Sequence, residues 1–69
     1  MSKFSVRLRE IRMNRGKTQD ETAEYLGFKS IRGYQYYEEG KNEPNIARLI
    51  ALADFFDVTL DYLMGRTDQ

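Results

Sequence analysis

Residues 18–40, TQDETAEYLGFKSIRGYQYYEEG, decide the fold of this chain. The stretch opens with Thr18 followed three positions later by Glu21, which is the capping-box pattern of a helix start. Gly27 and then Gly40 follow at positions where a glycine ends a short helix. The stretch therefore predicts two short helices joined by a glycine-containing turn.

The second of these helices has two different faces. Ser30 is predicted to be its N-cap, and Tyr34 and Tyr37, spaced i, i+3, are predicted to face inward. An arginine can bind guanine, a glutamine can bind adenine, and an apolar side chain can contact the thymine methyl group. These residue types occur together on the outer face, where ordinary solvated side chains are an equal alternative: Ile31, Arg32, Gln35 and Tyr36.

Three further helices are predicted around this pair. Phe4, Leu8 and Ile11 recur at helical spacing in the first helix. Asn45 and Thr59 are predicted to cap the last two. Residues 1–69 are thus expected to form a single all-α domain, with helices at about 3–15, 18–26, 30–39, 45–56 and 59–64.

Apolar residues at helical spacing give the predicted core. In the second helix Ala23 and Leu26 are expected to be buried, with either Thr22 or Tyr25 beside them. Leu60 and Leu63 are expected to point inward from the last helix. The fourth helix is expected to bury Ile46, Leu49, Ile50, Ala53 and Phe56, with Leu52 and Phe55 off the centre of that stripe.

Composition narrows the function. The chain has 69 residues and neither cysteine nor histidine, so disulfides, thiolate metal sites and the commonest general base are excluded. No catalytic constellation, metal site, cofactor or small-molecule substrate is predicted. No apolar run approaches the roughly 20 residues of a membrane span, and the first residues do not form a signal peptide, so a cytoplasmic protein is expected.

Charge is unevenly distributed although the formal net charge is zero. Residues 1–48 carry ten Lys and Arg against seven Asp and Glu, whereas residues 49–69 carry one against four. A basic front and an acidic back would orient the molecule towards phosphates. Most of the cations in and after the first helix are predicted to lie on a solvated face: Lys3, Arg7, Arg9, Arg12, Arg15 and Lys17.

The chain resembles the phage repressor and Cro-like helix-turn-helix family, also called the XRE family. The resemblance covers nearly the whole chain, and its specificity lies in the order and spacing of short motifs. The matching residues are Leu8-Arg9-Glu10-Ile11-Arg12, Thr18-Gln19, Ala23, Leu26-Gly27, Tyr37-Glu38, Gly40-Lys41, Pro44, Leu49-Ile50, Leu52-Ala53 and Val58-Thr59-Leu60-Asp61-Tyr62-Leu63-Met64-Gly65.

The resemblance implies a five-helix, lambda-repressor-like domain that binds double-stranded operator DNA as a homodimer on a palindromic site. It implies base contacts by the outer-face set above, an ion pair between Arg12 and Glu38, and a regulator of repressor type. The implied phosphate contacts are Gln19, Ser30, Lys41 and Asn42, and Lys29 beside Ser30 is a further candidate. The fifth helix and its flanks are expected to supply the dimer interface, with Phe55, Tyr62 and Met64 as candidates. For Met64, packing at the edge of the core is an equal alternative.

Two features depart from that pattern. Thr22 replaces the usual leucine, and one extra residue between Gly27 and Tyr37 either enlarges the turn or shifts the start of the helix. Gly33 costs about 1 kcal/mol relative to alanine inside a helix, so a close approach by the DNA backbone or the second helix is expected there. An antitoxin-like or adaptor module on the same fold is the alternative function, supported by the zero net charge.

Overall fold

In the computed structural model, which describes residues 3–68, the chain forms five α-helices, with no strand in that range. The predicted all-α, five-helix fold is confirmed. Met1, Ser2 and Gln69, which the predicted domain includes, lie outside the described residues. α3 packs against α1 and α2, while α5 packs against α1 and α4. The helices are α1 (Lys3–Asn14), α2 (Gln19–Tyr25), α3 (Ile31–Glu39), α4 (Ile46–Phe56) and α5 (Leu60–Leu63).

Side-chain caps start three of the helices. Thr18 and Glu21 form the full capping box, because each accepts a hydrogen bond from the other's backbone N–H, both at 3.0 Å. Asn45 and Thr59 cap α4 and α5 by a single bond each, accepting from the backbone N–H of Arg48 at 2.9 Å and of Tyr62 at 3.1 Å. Ser30 occupies the N-cap position of α3, but its side chain makes no capping hydrogen bond there. Ser30 is therefore the N-cap residue, as predicted, but the capping hydrogen bond expected from its side chain is absent.

The end of α4 lacks a glycine. Asp57 takes the left-handed conformation there, with φ 57°. This conformation destabilises a residue with a Cβ atom by roughly 1–2 kcal/mol. Glycine has no such cost, and aspartate adopts the conformation more readily than most other residues. Gly40 does the same at the end of α3 without that cost, with φ 76°.

The core is formed by all five helices. Thr22 is fully buried on α2 while Tyr25 is 51% exposed, which decides between the two candidates for that position. The Thr22 hydroxyl donates to the carbonyl of Thr18 at 2.9 Å, so its polar group is satisfied. The buried hydrophobic residues are Phe4, Leu8, Ile11, Ala23, Tyr34, Tyr37, Leu52, Ala53, Phe56 and Leu63.

The expected core face of α4 is partly wrong. Leu52, predicted to lie off the centre, is fully buried, whereas Ile46 is 74% exposed and Ile50 is 45% exposed. Leu60 of α5 is also exposed rather than inward. The α4 sequence contains two overlapping apolar stripes at helical spacing, and packing selects the one centred on Leu52 and Phe56. Ile46 and Ile50 are left on the flank.

Arg7 in α1 and Arg15 directly after it bind the ends of two other helices. Arg7 donates to the carbonyl of Tyr62 at 2.8 Å, and Arg15 donates to the carbonyl of Phe56 at 2.8 Å. These carbonyls lie near the ends of α5 and α4, where backbone acceptors lack helical partners. Arg7 was expected on a solvated face and is instead mostly buried, with 17% of its side chain exposed. Arg15 stays exposed as expected, although its guanidinium reaches the carbonyl at the end of α4.

The turn between α2 and α3 is occupied by Phe28. Its ring lies edge-on to Tyr37, with 5.7 Å between centroids, and the guanidinium of Arg48 lies 4.1 Å from its centroid. A Cβ atom on Gly33 would lie 2.6 Å from this ring. Within the protein, the close neighbour of Gly33 is therefore Phe28 of the turn and not α2. α3 begins at Ile31, so the extra residue enlarges the turn.

Candidate nucleic-acid interface

The inner face of α3 carries a buried carboxylate. Glu38 is only 4% exposed, and the Nε of Arg12 donates to its Oε2 at 2.5 Å while Nη2 donates to Oε1 at 3.2 Å. Tyr34 Oη also donates to Oε2, at 2.5 Å, and Gln19 Nε2 donates to Oε1 at 3.1 Å. Both oxygens are thus satisfied by donors from α1, α2 and α3. This carboxylate joins the three helices that position the outer face.

The protonation equilibria follow from this geometry. Burial by itself raises the pKa of Glu38, but the hydrogen bonds from Arg12, Tyr34 and Gln19 outweigh burial and hold that pKa below its ordinary value. The hydrogen bond to Glu38 raises the pKa of Arg12. Burial, followed by the hydrogen bond to Glu38, raises the pKa of Tyr34. At neutral pH the cluster therefore contains a carboxylate, a guanidinium and a neutral phenol.

Gln19 connects this inner cluster to the outer face. Its Nε2 donates to Glu38, and its Oε1 accepts from Gln35 Nε2 at 3.1 Å. The side chain is half-buried at the start of α2. An amide nitrogen carries two hydrogens, so one remains for a DNA phosphate after the bond to Glu38. Gln19 is therefore a link between helices as well as the phosphate candidate named from sequence.

Arg32, Gln35 and Tyr36 lie in contact with one another on the outer face. Arg32 Nη1 donates to Gln35 Oε1 at 2.9 Å, and its guanidinium carbon lies 4.7 Å from the centroid of Tyr36. The Arg32 side chain is 51% exposed, while Gln35 and Tyr36 are half-buried. Three of the four predicted base-reading residues are thus brought together as one polar and aromatic cluster.

Ile31 lines a hollow between α1, α2 and α3, together with Glu39 of the same helix. The hollow is also lined by Arg9 and Lys17, which were predicted to be ordinary solvated cations, and by Gln19. Lys17 Nζ lies 5.4 Å from the centroid of Phe55. Sequence reasoning missed Arg9 and Lys17 as possible phosphate ligands, because nothing in their local spacing indicates that they converge on α2.

The loop after α3 is fixed to the helix. The backbone N–H groups of Lys41 and Asn42 donate to the carbonyl of Tyr36, at 2.9 and 3.3 Å. Both side chains are exposed, as are Lys29 and Ser30 at the other end of α3. The predicted phosphate ligands therefore flank the outer cluster at both ends of the helix, apart from Gln19, which lies on α2.

Comparison with known proteins decides the family. The family model described as Helix-turn-helix matches residues 8–63, which is most of the chain. The chain belongs to the phage repressor-like helix-turn-helix family. α2, the turn and α3 are its helix-turn-helix unit, and the expectation drawn from the motifs is confirmed.

Several curated relatives of this helix-turn-helix domain are transcription factors by name. One is the SPbeta prophage-derived uncharacterized HTH-type transcriptional regulator YonR of Bacillus subtilis, 36% identical over 93% of this chain and 58% of its own length. Another is the cryptic phage CTXphi transcriptional repressor RstR of Vibrio cholerae, 35% identical over 97% of this chain and 61% of its own length. A third is the HTH-type transcriptional activator BcrR of Enterococcus faecalis, 34% identical over 90% of this chain and 30% of its own length.

The chain spans little more than half the length of the first two of these relatives. No solved structure gives a significant match. Within residues 3–68, no helix is long and apolar enough to cross a membrane. The same range contains no group of three or more acidic residues placed to hold a metal ion.

The residues named for a dimer interface of the helix-turn-helix domain differ in exposure. Phe55 is half-buried, with its ring 4.4 Å from Tyr25 and 5.1 Å from Phe56 between centroids. Tyr62 is half-buried under the guanidinium of Arg7, 4.3 Å from its centroid. Met64 is 42% exposed. Phe55 and Tyr62 therefore already have partners within the chain, and Met64 has the most surface left for a second copy.

Proposed function

We propose that this chain is a sequence-specific DNA-binding transcriptional regulator of repressor type, which places α3 in the major groove. The observation that carries the proposal is the division of α3 between two tasks. Its inner face is anchored by Tyr34, Tyr37 and Glu38, while Arg32, Gln35 and Tyr36 contribute to no core. A helix anchored on its inner face, with a cluster of this chemistry on its outer face, suits base recognition.

The proposed base contacts follow from the donors and acceptors of each side chain. Arg32 would bind guanine O6 and N7, and Gln35 would bind adenine N6 and N7. Tyr36 would stack beside Arg32 at the base edges, and Ile31 would contact a thymine methyl group. The link from Gln19 to Gln35 supports this role, since it restricts the motion of a side chain that would otherwise be free.

The proposed phosphate contacts position the helix rather than read the sequence. Gln19 would bind the backbone on one side of the groove, and Lys41 and Asn42 would bind it from the loop after α3. Lys29 and Ser30 would do so at the start of the helix. Repression is proposed because relatives that align with almost the whole chain include a named phage repressor and a prophage regulator. The protein would act in the cytoplasm, where bacterial DNA lies.

A homodimer is proposed to bind a palindromic operator. Two copies related by a two-fold axis would place their α3 helices about 34 Å apart, one turn of DNA. Met64 is the exposed member of the interface set, and Phe55 and Tyr62 would form its border. Substituting Met64 with aspartate should shift the mass measured by light scattering from dimer towards monomer, with an unchanged melting temperature as the control for folding.

Selection of bound duplexes from a random DNA pool tests the function. We expect a recovered site with two related half-sites about one helical turn apart, bound with an affinity that falls steeply with salt. The adaptor alternative is favoured by equal numbers of acidic and basic residues in the sequence. Failure to retain any duplex even at low salt would support the adaptor and overturn the regulator.

A further inference from the structure

The outer face of α3 carries a carboxylate that sequence reasoning did not assign. Glu39 follows the buried Glu38 directly, but its side chain is 39% exposed. It lies seven positions after Arg32 and three after Tyr36, so helical periodicity puts the three on one side of the helix. That spacing is the signal by which the sequence could have revealed it.

Each oxygen of Glu39 faces one of the two cations that flank Tyr36. Its Oε2 lies 3.4 Å from Nη1 of Arg32, and its Oε1 lies 3.3 Å from Nζ of Lys41. The Lys41 Nζ also lies 5.8 Å from the centroid of Tyr36. The carboxylate therefore sits between the arginine assigned to the bases and the lysine assigned to the phosphates, and reduces the positive charge available to either.

These contacts are exposed, and exposed ion pairs hold only weakly. Arg32 can leave Glu39 at little cost when a guanine offers it two well-placed acceptors. On an unrelated sequence Arg32 meets phosphates without a well-placed pair of base acceptors, and the carboxylate of Glu39 both competes with those phosphates for Arg32 and repels them. Non-specific binding depends almost entirely on phosphate contacts, so a cation kept from the phosphates weakens it directly.

We propose that Glu39 is a specificity-determining residue, which restrains Arg32 and Lys41 and thereby lowers the affinity of the protein for DNA that lacks the operator. Specificity is a difference between two affinities, and a repulsive element directed against the wrong partner increases it. The inference rests on the proposed function. It adds to it an acidic residue whose task is to weaken non-specific binding.

The test uses Glu39→Gln, which keeps the shape of the side chain and removes its charge. Glu10→Gln is the matched control, because it changes the net charge equally at a site where Glu10 faces Arg7 on α1, beside Tyr62. Affinities of the full chain and both variants are measured for the selected operator and for an unrelated duplex of equal length, across a salt series. Melting curves confirm that all three proteins are folded.

For Glu39→Gln we expect the affinity for the unrelated duplex to rise more than the affinity for the operator, so that their ratio falls about threefold or more. A freed cation adds one phosphate contact, which makes binding to unrelated DNA weaken about threefold more between roughly 50 and 200 mM salt. Glu10→Gln should leave the ratio within about twofold of the wild type, because a uniform charge change acts on both duplexes alike.

Two results would overturn the inference while leaving the proposed function intact. In one, the wild type selects an operator and Glu39→Gln discriminates as well as it does. In the other, Glu39→Gln loses affinity only at one C·G pair of the operator, which would make Glu39 a direct acceptor from cytosine. A wild-type chain that binds no duplex would overturn the proposed function and this inference with it.

Discussion

Glu38 and Glu39 are neighbours with the same side chain and opposite surroundings. Glu38 is almost completely buried and takes hydrogen bonds from Arg12, Tyr34 and Gln19. Glu39 is exposed and faces two exposed cations of the outer surface, Arg32 and Lys41. A rotation of about 100° per residue along α3 separates an inner, structural face from an outer, DNA-facing one. The difference teaches that residue type says little about role until the helix has been docked.

The largest effect should come from removing the inner carboxylate. Glu38→Ala leaves the guanidinium of Arg12 and the hydroxyl of Tyr34 without their partner in a buried setting, at a cost of about 3–5 kcal/mol. For a domain of this size that corresponds to a fall in melting temperature of more than about 10 °C. Thermal unfolding followed by circular dichroism measures it. Glu39→Ala is the matched control, and equal melting curves for the two variants would remove the distinction drawn here.

The stabilising role of Glu38 should also appear in the pH dependence of the free energy of unfolding. The folded state lowers the pKa of Glu38, so its stabilising contribution is complete above the ordinary value of 4.5 and is lost as the pH falls through the lowered value. The free energy of unfolding should therefore decline below about pH 4.5 in the wild type and decline less in Glu38→Gln. Urea titrations at several pH values measure this. The pKa of Glu21 in the capping box is also lowered, which leaves some slope in the variant.

On the outer face, Arg32→Ala should change binding and not folding. We expect a loss of about 1–3 kcal/mol at the operator, together with relaxed preference at one base position. Repeating the selection from a random pool with the variant gives the altered position directly. A loss of equal size for all sequences would make Arg32 a phosphate ligand and would shift base reading to Gln35 and Tyr36.

Gly33 tests the border between the two faces. Alanine there would place its Cβ 2.6 Å from the ring of Phe28, and overpacking of that kind costs about 1–3 kcal/mol. The higher helix propensity of alanine offsets about 1 kcal/mol of that cost, so the net result is a modest loss of stability. The same substitution in a Phe28→Leu background should destabilise less. Equal effects in both backgrounds would show that Phe28 is not the neighbour that requires glycine.

The smallest effect is expected from Lys41→Ala. Lys41 is exposed, and its ammonium group makes only weak surface contacts with the carboxylate of Glu39 and the ring of Tyr36, so its loss should leave stability almost unchanged. Affinity should fall slightly and alike for every sequence, and the salt dependence should become shallower by about one unit of slope. A sequence-dependent loss would assign Lys41 to a base edge instead of a phosphate.

The helix ends show how far local sequence carries the fold. The capping box at Thr18 and the caps at Asn45 and Thr59 form as their residue types predict, since each depends only on atoms within one turn. The end of α4 at Asp57 carried no glycine to mark it. Local chemistry therefore predicts where most helices begin, and it is weaker where an L-residue accepts a strained conformation.

The candidate site depended more on resemblance than on local pattern. The outer cluster of Arg32, Gln35 and Tyr36 was identified from residue types and spacing. The pair between Arg12 and Glu38 was indicated only by the resemblance, because the two residues are 26 positions apart. The convergence of Arg9 and Lys17 on the hollow beside α2 was missed, since it exists only once α1 is packed against α3.

The sequence by itself determined the number and limits of the helices, the anchoring of α3 by Tyr34 and Tyr37, and the residue types available to DNA. These follow from capping and periodicity, which act over a few residues. Tertiary structure alone decided that Leu52 and not Ile46 or Ile50 enters the core, that Gly33 makes room for Phe28, and that Glu39 holds Arg32 and Lys41. Those outcomes depend on how whole helices are rotated against one another, which no short window of sequence contains.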